Sequence, residues 1–246
     1  MRMICLGSGS KGNGYILKAS SGESLIIEAG IAMIDFKKAL NFNLRNVVGC
    51  LVSHAHNDHS KYMGEVVETG ITTLALKDVF EAKGIRDGVF CKVIKPSHGY
   101  IVGGFKVFTL SVAHDVPCLG FVIEHREMGK ILFITDTMMV EYLVSGLSHI
   151  MLECNYSDEI LNYNIKNGIT PSGMRDRLLH SHMELKTATD YLRKCDLSGV
   201  NKIILIHLSG KNSDGGEFMA HIGRETGKPV YVARRGFEIN LDKEPY

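Results

Sequence analysis

Residues 51–59 read Leu51-Val52-Ser53-His54-Ala55-His56-Asn57-Asp58-His59: an apolar run ends, and three histidines and an aspartate follow within six positions. A hydrophobic core has no use for that density of imidazoles and carboxylates. Neutral imidazoles and a carboxylate are the donors that suit zinc and neighbouring first-row metals, and a loop leaving a strand can turn several of them toward one point. His54, His56, Asp58 and His59 are therefore candidate ligands on a strand-to-helix loop. The bland alternative is a polar surface loop, and it gives no reason for imidazole to recur at this spacing.

One loop cannot satisfy two metal ions, so a dinuclear site needs further donors at strand ends downstream. Three occur in order: His114 in Ser111-Val112-Ala113-His114-Asp115, Asp136 closing Ile131-Leu132-Phe133-Ile134-Thr135-Asp136, and His207 in Ile203-Ile204-Leu205-Ile206-His207. Any one alone reads as a polar residue finishing a strand. Together, after the histidine loop, they read as the rest of a ligand set. His98, His125, His149, His180 and His221 have no partners at ligand spacing and read as structural or surface residues.

Short β-branched or apolar runs recur through the chain, at 2–6, 14–18, 24–28, 47–53, 72–76, 105–112, 119–124, 130–135, 149–153, 202–208, 229–233 and 237–241. These are expected strands. Helical periodicity is expected near 34–41, 61–69, 78–83, 185–195 and 216–226, with Ser60, Thr187 and Asp214 as candidate caps. Strands in runs with interspersed helices imply mixed sheets covered by helices, an α/β or α+β class, in one domain over residues 1–246. The segment 156–181, rich in Asn, Asp and Arg, reads as a loop or short-helix excursion near the functional face. The glycine-rich stretch 7–14 lacks the endings of a P-loop or a dinucleotide loop and reads as a tight turn beside the site, with Asn13 within reach of substrate.

With 45% hydrophobic and 22% charged residues the chain lacks the signature of disorder, and a net charge of +1 leaves no chain-wide footprint for long nucleic acid. No apolar run is long enough to span a bilayer, and Met1-Arg2-Met3-Ile4-Cys5-Leu6 runs straight into Gly and Ser, so a cytoplasmic protein without membrane contact is expected. Cys5, Cys50, Cys91, Cys118, Cys154 and Cys195 stand singly in apolar surroundings and read as buried, reduced thiols.

These motifs in this order resemble those of the metallo-β-lactamase superfamily: an early acidic residue, the His-x-His-x-Asp-His loop, then His, Asp and His. The resemblance spans essentially the whole chain. Within it the chain is most similar to the YycJ/WalJ branch. That similarity lies in Gly7-Ser8-Gly9-Ser10-Lys11-Gly12-Asn13-Gly14, Ser111–Asp115, Glu153-Cys154-Asn155, Ser181-His182-Met183 and His207-Leu208-Ser209. The resemblance implies a four-layer αββα sandwich. It also implies that His54, His56 and His114 hold one divalent ion, Asp58, His59 and His207 the other, and that Asp136 bridges them. Two such ions, Zn²⁺ or Mn²⁺, would activate a bridging water as nucleophile. Glu28 stands where the superfamily usually has Asp, which puts the orientation of the histidine loop in question. Glu28, Asn13, Asp115 and Ser209 are candidates for supporting the ligands or touching substrate.

The implied activity is phosphodiester hydrolysis, in that branch 5′-to-3′ exonuclease action on DNA. A cyclic-nucleotide or other small diester is the rival substrate, as for the phage anti-Pycsar enzymes, and a thioester or lactone is the second class. Asp58 and His182 are the candidate catalytic residues. His182 would contact a phosphoryl oxygen or protonate the leaving oxygen, and its alternative is a surface histidine at a helix start. The implied partner is a nucleic acid or nucleotide, with a homodimer as the candidate assembly. A long groove carrying Arg175, Arg177, Lys186 and Arg234 would speak for a polymer, and a closed pocket for a small diester.

Overall fold

The computed structural model describes residues 1–243. The first strands are β1 (Arg2–Gly7), β2 (Gly14–Lys18), β3 (Ser24–Ile27), β4 (Val47–Leu51), β5 (Thr73–Ala75) and β6 (Cys91–Val93). A second set follows, β7 (Gly99–Val102), β8 (Phe105–Val112), β9 (Cys118–His125), β10 (Gly129–Ile134), β11 (His149–Glu153), β12 (Lys202–Ile206) and β13 (Val230–Val232), before β14 (Glu238–Asn240) returns to the first. The two seven-stranded sheets run β14-β1-β2-β3-β4-β5-β6 and β13-β12-β11-β10-β9-β8-β7.

Three apolar layers hold these sheets. Between them lie Met3, Leu17, Leu25, Ile27 and Leu51 from the first and Phe105, Phe121, Phe133, Met151 and Ile204 from the second. The outer face of the first sheet, through Ile16, Ile26 and Cys50, packs on α1 (Met33–Ala39), α3 (Met63–Glu68) and α4 (Lys77–Ala82). The outer face of the second, through Leu132, Ile150 and Leu205, packs on α7 (Leu185–Lys194) and α8 (Gly215–Thr226). Central strands buried on both faces read as unbroken apolar runs, which is why Leu25-Ile26-Ile27 and Ile203-Ile204-Leu205-Ile206 show no alternation. Each fully buried Leu or Ile contributes about 1.5–3 kcal/mol of transfer free energy.

The register puts the functional strand ends together. β3 and β4 run parallel with Ile27 beside Leu51, so Glu28 emerges next to the histidine loop. β10, β11 and β12 are parallel with Ile134 beside Leu152 and Glu153 beside Ile206, so Asp136, Glu153 and His207 leave the same end of the second sheet. A Cβ on Gly30 would lie 1.7 Å from the carbonyl oxygen of Asp58, so only glycine lets the chain after β3 pass under that loop.

Several local expectations are corrected. β6 and β7, of three and four residues, are too short and exposed to carry an alternation signal. Of the two forms expected for the segment 156–181, it takes the short-helix one, as α5 (Asp158–Lys166) and α6 (Met174–Ser181). They bury only Leu161 and Asn164, and Leu178 and Ser181, so neither has the apolar stripe that marks a helix in sequence. Ser60 does not open a helix but lies in the single turn α2 (Asn57–Ser60), and α7 is capped by Glu184, which accepts from the Lys186 and Thr187 amides, rather than by Thr187. Asp214 caps α8 by accepting from the Glu217 amide. Cys91 is half-buried, whereas the other five thiols are buried. Among the described residues no helix is long and apolar enough to cross a membrane.

Candidate metal centre

The loop after β4 turns into α2, so His54, His56, Asp58 and His59 leave a buried strand within two short turns. His114 comes from the loop between β8 and β9, Asp136 from the end of β10 and His207 from the end of β12. Two four-residue groups result, each with donor atoms within 4.8 Å of one another: His54, His56, His114 and Asp136, and Asp58, His59, Asp136 and His207. Asp136 belongs to both, with Oδ2 3.6 Å from His54 Nε2 and Oδ1 3.4 Å from His59 Nε2. A third group joins Asp136 and His207 to Glu153 and His182.

The imidazoles are held from behind. His114 Nδ1 donates to the Ser181 carbonyl at 3.0 Å, His54 Nδ1 lies 2.9 Å from Ser53 Oγ, and His207 Nδ1 lies 3.0 Å from Glu153 Oε1. Bonds of this kind fix the tautomer and leave Nε2 for an ion. His54 Nε2 is buried and has no hydrogen-bond partner among the described residues. A buried imidazole nitrogen left bare costs free energy unless something electron-poor faces it, and this fits a divalent cation.

The electrostatics agree. Burial and the neighbouring His59 push His54 well below the ordinary histidine pKa despite Asp136, which keeps it neutral as a ligand must be. Burial opposes charge on Asp136, but His207 and His59 outweigh it and hold the carboxyl well below its usual range. Burial likewise opposes protonated His207, yet Asp136, Asp58 and Glu153 raise it to about 10. The pocket concentrates negative charge that cations would balance.

Three residues at strand ends, Glu28 (φ 67°), Asp136 (φ 42°) and His207 (φ 55°), take left-handed backbone conformations that cost non-glycine residues free energy. Such strain persists where the surroundings over-determine it, commonly at functional sites.

The supporting residues sort differently. Glu28 is fully buried, with Oε2 3.5 Å from His59 Nδ1 and accepting from the Ser53 amide at 3.4 Å, so the longer acid still reaches the histidine loop. Asn13 does not reach the cleft. It is 1% exposed and spends its amide on Gly9, on the Asp58 carbonyl and on His59 Nε2 at 2.9 Å, so of its two expected places it has the one behind the ligand candidates and not the one against substrate. Asp115 Oδ1 lies 3.3 Å from His56 Nε2 and 3.0 Å from His114 Nε2. Ser209 lines the cleft and accepts from the Asn212 amide.

Glu153 was missed as a site residue. It is fully buried; Oε2 accepts from the Thr137 and Met183 amides, and Oε1 meets His182 Nδ1 at 2.7 Å as well as His207. The available signal was the one that marked Asp136, an acid closing an apolar run. Ser8, whose Oγ accepts from the His207 amide at 2.9 Å, left no such signal.

A cleft of about 300 Å³ opens over the cluster, bounded by Met174, Arg177 and Leu178 of α6 and by His182, Ser209 and Asn212. Of the four cations expected on a groove only Arg177 lines it. Lys186 pairs with Asp190 on the surface, Arg175 reaches Asn162 and lies 3.8 Å from Asp158, and Arg234 is exposed elsewhere. His182 lines the cleft and is not a detached surface histidine.

No family model matches the chain. In sequence it is similar to exodeoxyribonuclease YycJ of Bacillus anthracis, 26% identical over 226 residues that cover 85% of this chain and 82% of that one. In structure it is similar to the metallo-β-lactamase fold protein YhfI of Bacillus subtilis, with a TM-score of 0.74 at 16% identity over 97% of this chain and 98% of that one. It is also similar to Zn²⁺-bound PqqB of Methylobacterium extorquens, with a TM-score of 0.71 at 14% identity over 98% of this chain and 100% of that one. The chain therefore has the metallo-β-lactamase fold.

Proposed function

We propose that the chain is a dinuclear-metal hydrolase of phosphodiesters, acting in the cytoplasm on nucleic acid, with DNA cleaved from a 5′ end as the first candidate reaction. The observation that carries this is the pair of ligand groups sharing Asp136 with His182, bound through Nδ1 to buried Glu153, at their edge. The similarity to an exodeoxyribonuclease supports the choice of DNA. His54, His56, His114 and Asp136 would hold one ion and Asp58, His59, Asp136 and His207 the other. Zn²⁺ or Mn²⁺ there supplies Lewis acidity toward a phosphoryl oxygen and a nucleophile from water near neutral pH.

The protein's own part lies around those ions. Glu153 accepts from His182 Nδ1, which leaves Nε2 for the cleft. Burial disfavours a charged His182, but the Glu153 charge and hydrogen bond outweigh it and raise its pKa, so the ring carries a proton to deliver to a leaving oxygen. A sugar alkoxide needs that proton, whereas a thiolate, with a far lower pKa, leaves without it. Arg177 is placed to meet a non-bridging oxygen. The small cleft with one cation favours a second candidate, a cyclic nucleotide or other small diester.

The test is an activity panel with added Mn²⁺ or Zn²⁺: 5′-phosphorylated duplex and single-stranded DNA, RNA, cyclic nucleotides, bis(p-nitrophenyl) phosphate, a lactone and a thioester. Diesters should be turned over fastest. Faster turnover of the lactone or thioester would reassign the protein to the esterase class.

A further inference from the structure

Beside the cleft is a second hollow of about 190 Å³, lined by Ser10, Lys11, Gly30, Asn57, Asp58, Lys61 and Tyr62. Ser10 and Asp58 line both spaces, so the hollow adjoins the cleft at those two residues. Its character differs from that of the cleft. Lys11 and Lys61 are exposed and make no ion pair among the described residues, and Lys61 Nζ stands 5.1 Å from the centre of the Tyr62 ring. Lys83 adds a third cation behind the wall, donating to Asn57 Oδ1 at 2.8 Å. Among the described residues the only acid lining the hollow is Asp58, a candidate ligand whose charge the metal ions would neutralise.

Cations lining one hollow without acidic partners raise the local concentration of anions. The floor at Gly30 is set by the close passage of the chain under Asp58, so the hollow is part of the loop architecture and cannot be filled by a side chain there. Arg177 stands on the α6 wall of the cleft, whereas Lys11 and Lys61 belong to the glycine-rich turn and to the end of α2. Positive charge thus comes from two separate walls around the metal cluster. A cyclic nucleotide has one phosphate and needs one such group, whereas a nucleic-acid strand presents successive phosphates.

We propose that this hollow is the subsite for the sugar–phosphate backbone next to the scissile phosphate of a nucleic-acid strand, with Lys11 and Lys61 as its phosphate contacts. The inference rests on the nucleic-acid phosphodiesterase reading above and adds to it the place where the strand beyond the scissile phosphate is held. Side-chain contacts to phosphate carry little sequence information, so cleavage would show little base preference at that position.

The experiment compares kcat/KM of the metal-loaded wild type, Lys11→Ala/Lys61→Ala and Lys11→Arg/Lys61→Arg on a 5′-phosphorylated DNA oligonucleotide and on bis(p-nitrophenyl) phosphate, over a range of salt. In the alanine variant the ratio of oligonucleotide to small-diester activity should fall at least about tenfold, mainly through KM. The logarithmic salt slope should flatten by about 1.4, two phosphate contacts at about 0.7 each for a single strand. The arginine variant should keep both. An unchanged ratio and slope on an oligonucleotide that the wild type cleaves overturns the subsite and leaves the phosphodiesterase reading standing. A wild type that turns over the small diester but no oligonucleotide removes the nuclease assignment and this inference with it.

Discussion

His182 shows how one side chain separates chemistry from positioning. If it delivers a proton, His182→Ala should keep its metal content and fold yet lose at least about 10²-fold in kcat on a diester with a poor leaving group. The loss should be far smaller on bis(p-nitrophenyl) phosphate, whose phenolate leaves without a proton. Equal losses on both would mean that it positions phosphate instead. Asp58→Ala should abolish hydrolysis of every substrate while circular dichroism stays native, because Asp58 is 23% exposed at a loop and carries little packing. His149 makes the opposite case, a histidine with no part in the site. It is fully buried, Nε2 donates to the Leu241 carbonyl at 2.8 Å, and burial pushes its pKa down to about 4. The unfolded chain, at about 6.5, then binds the proton more readily. Its contribution to stability is complete above pH 6.5 and is lost as pH falls toward 4, by roughly 3 kcal/mol in all. Urea unfolding of the wild type and His149→Gln at pH 7.5 and 4.5 checks this. The variant should show the smaller pH dependence, and equal dependence would clear His149 of the effect.

At the scale of elements, the site depends on where strands stop. The parallel registers of β3 with β4 and of β10 with β11 and β12 bring their carboxyl ends level, and the histidine loop, Asp136 and His207, candidate ligands, leave those ends together with Glu28 and Glu153. Gly30 lets the chain after β3 run under α2. Gly30→Ala would drive a methyl group into the Asp58 carbonyl and must displace the histidine loop or unfold it. It should therefore lower metal stoichiometry and activity together, by metal analysis and kcat on bis(p-nitrophenyl) phosphate. Full metal content with full activity would show that the backbone relaxes without moving Asp58. α6 contributes differently, since its few buried residues serve to hold Arg177 at the cleft and the Ser181 carbonyl against His114.

For the whole molecule, the four candidate donors His54, His56, Asp58 and His59 come from the first sheet, the loop after β4, while His114, Asp136 and His207 come from the second, so each group of four draws on both. Ions held there would tie the two halves of the sandwich. Metal analysis should give about two ions per chain, and loading should raise the thermal midpoint, since free ion at 100 times its Kd adds about 2.7 kcal/mol to the folded state. A protein that stays metal-free after reconstitution with Zn²⁺ and Mn²⁺, or whose midpoint does not move, contradicts the metal assignment. The sequence alone determined the types of candidate donor and their order, because a metal site needs particular donor atoms and apolar runs ending in His or Asp expose them. It also determined the layered class, because buried strands must be apolar on both faces. Only the tertiary structure decided which donors meet, since Asp136 joins both groups through sheet register. It decided that Glu153 ties His182 to His207, that Asn13 faces inward, and that Lys11 and Lys61 rather than Arg175, Lys186 and Arg234 flank the centre. Those outcomes depend on distances between residues far apart in the chain, which follow from how the two sheets close on their shared core.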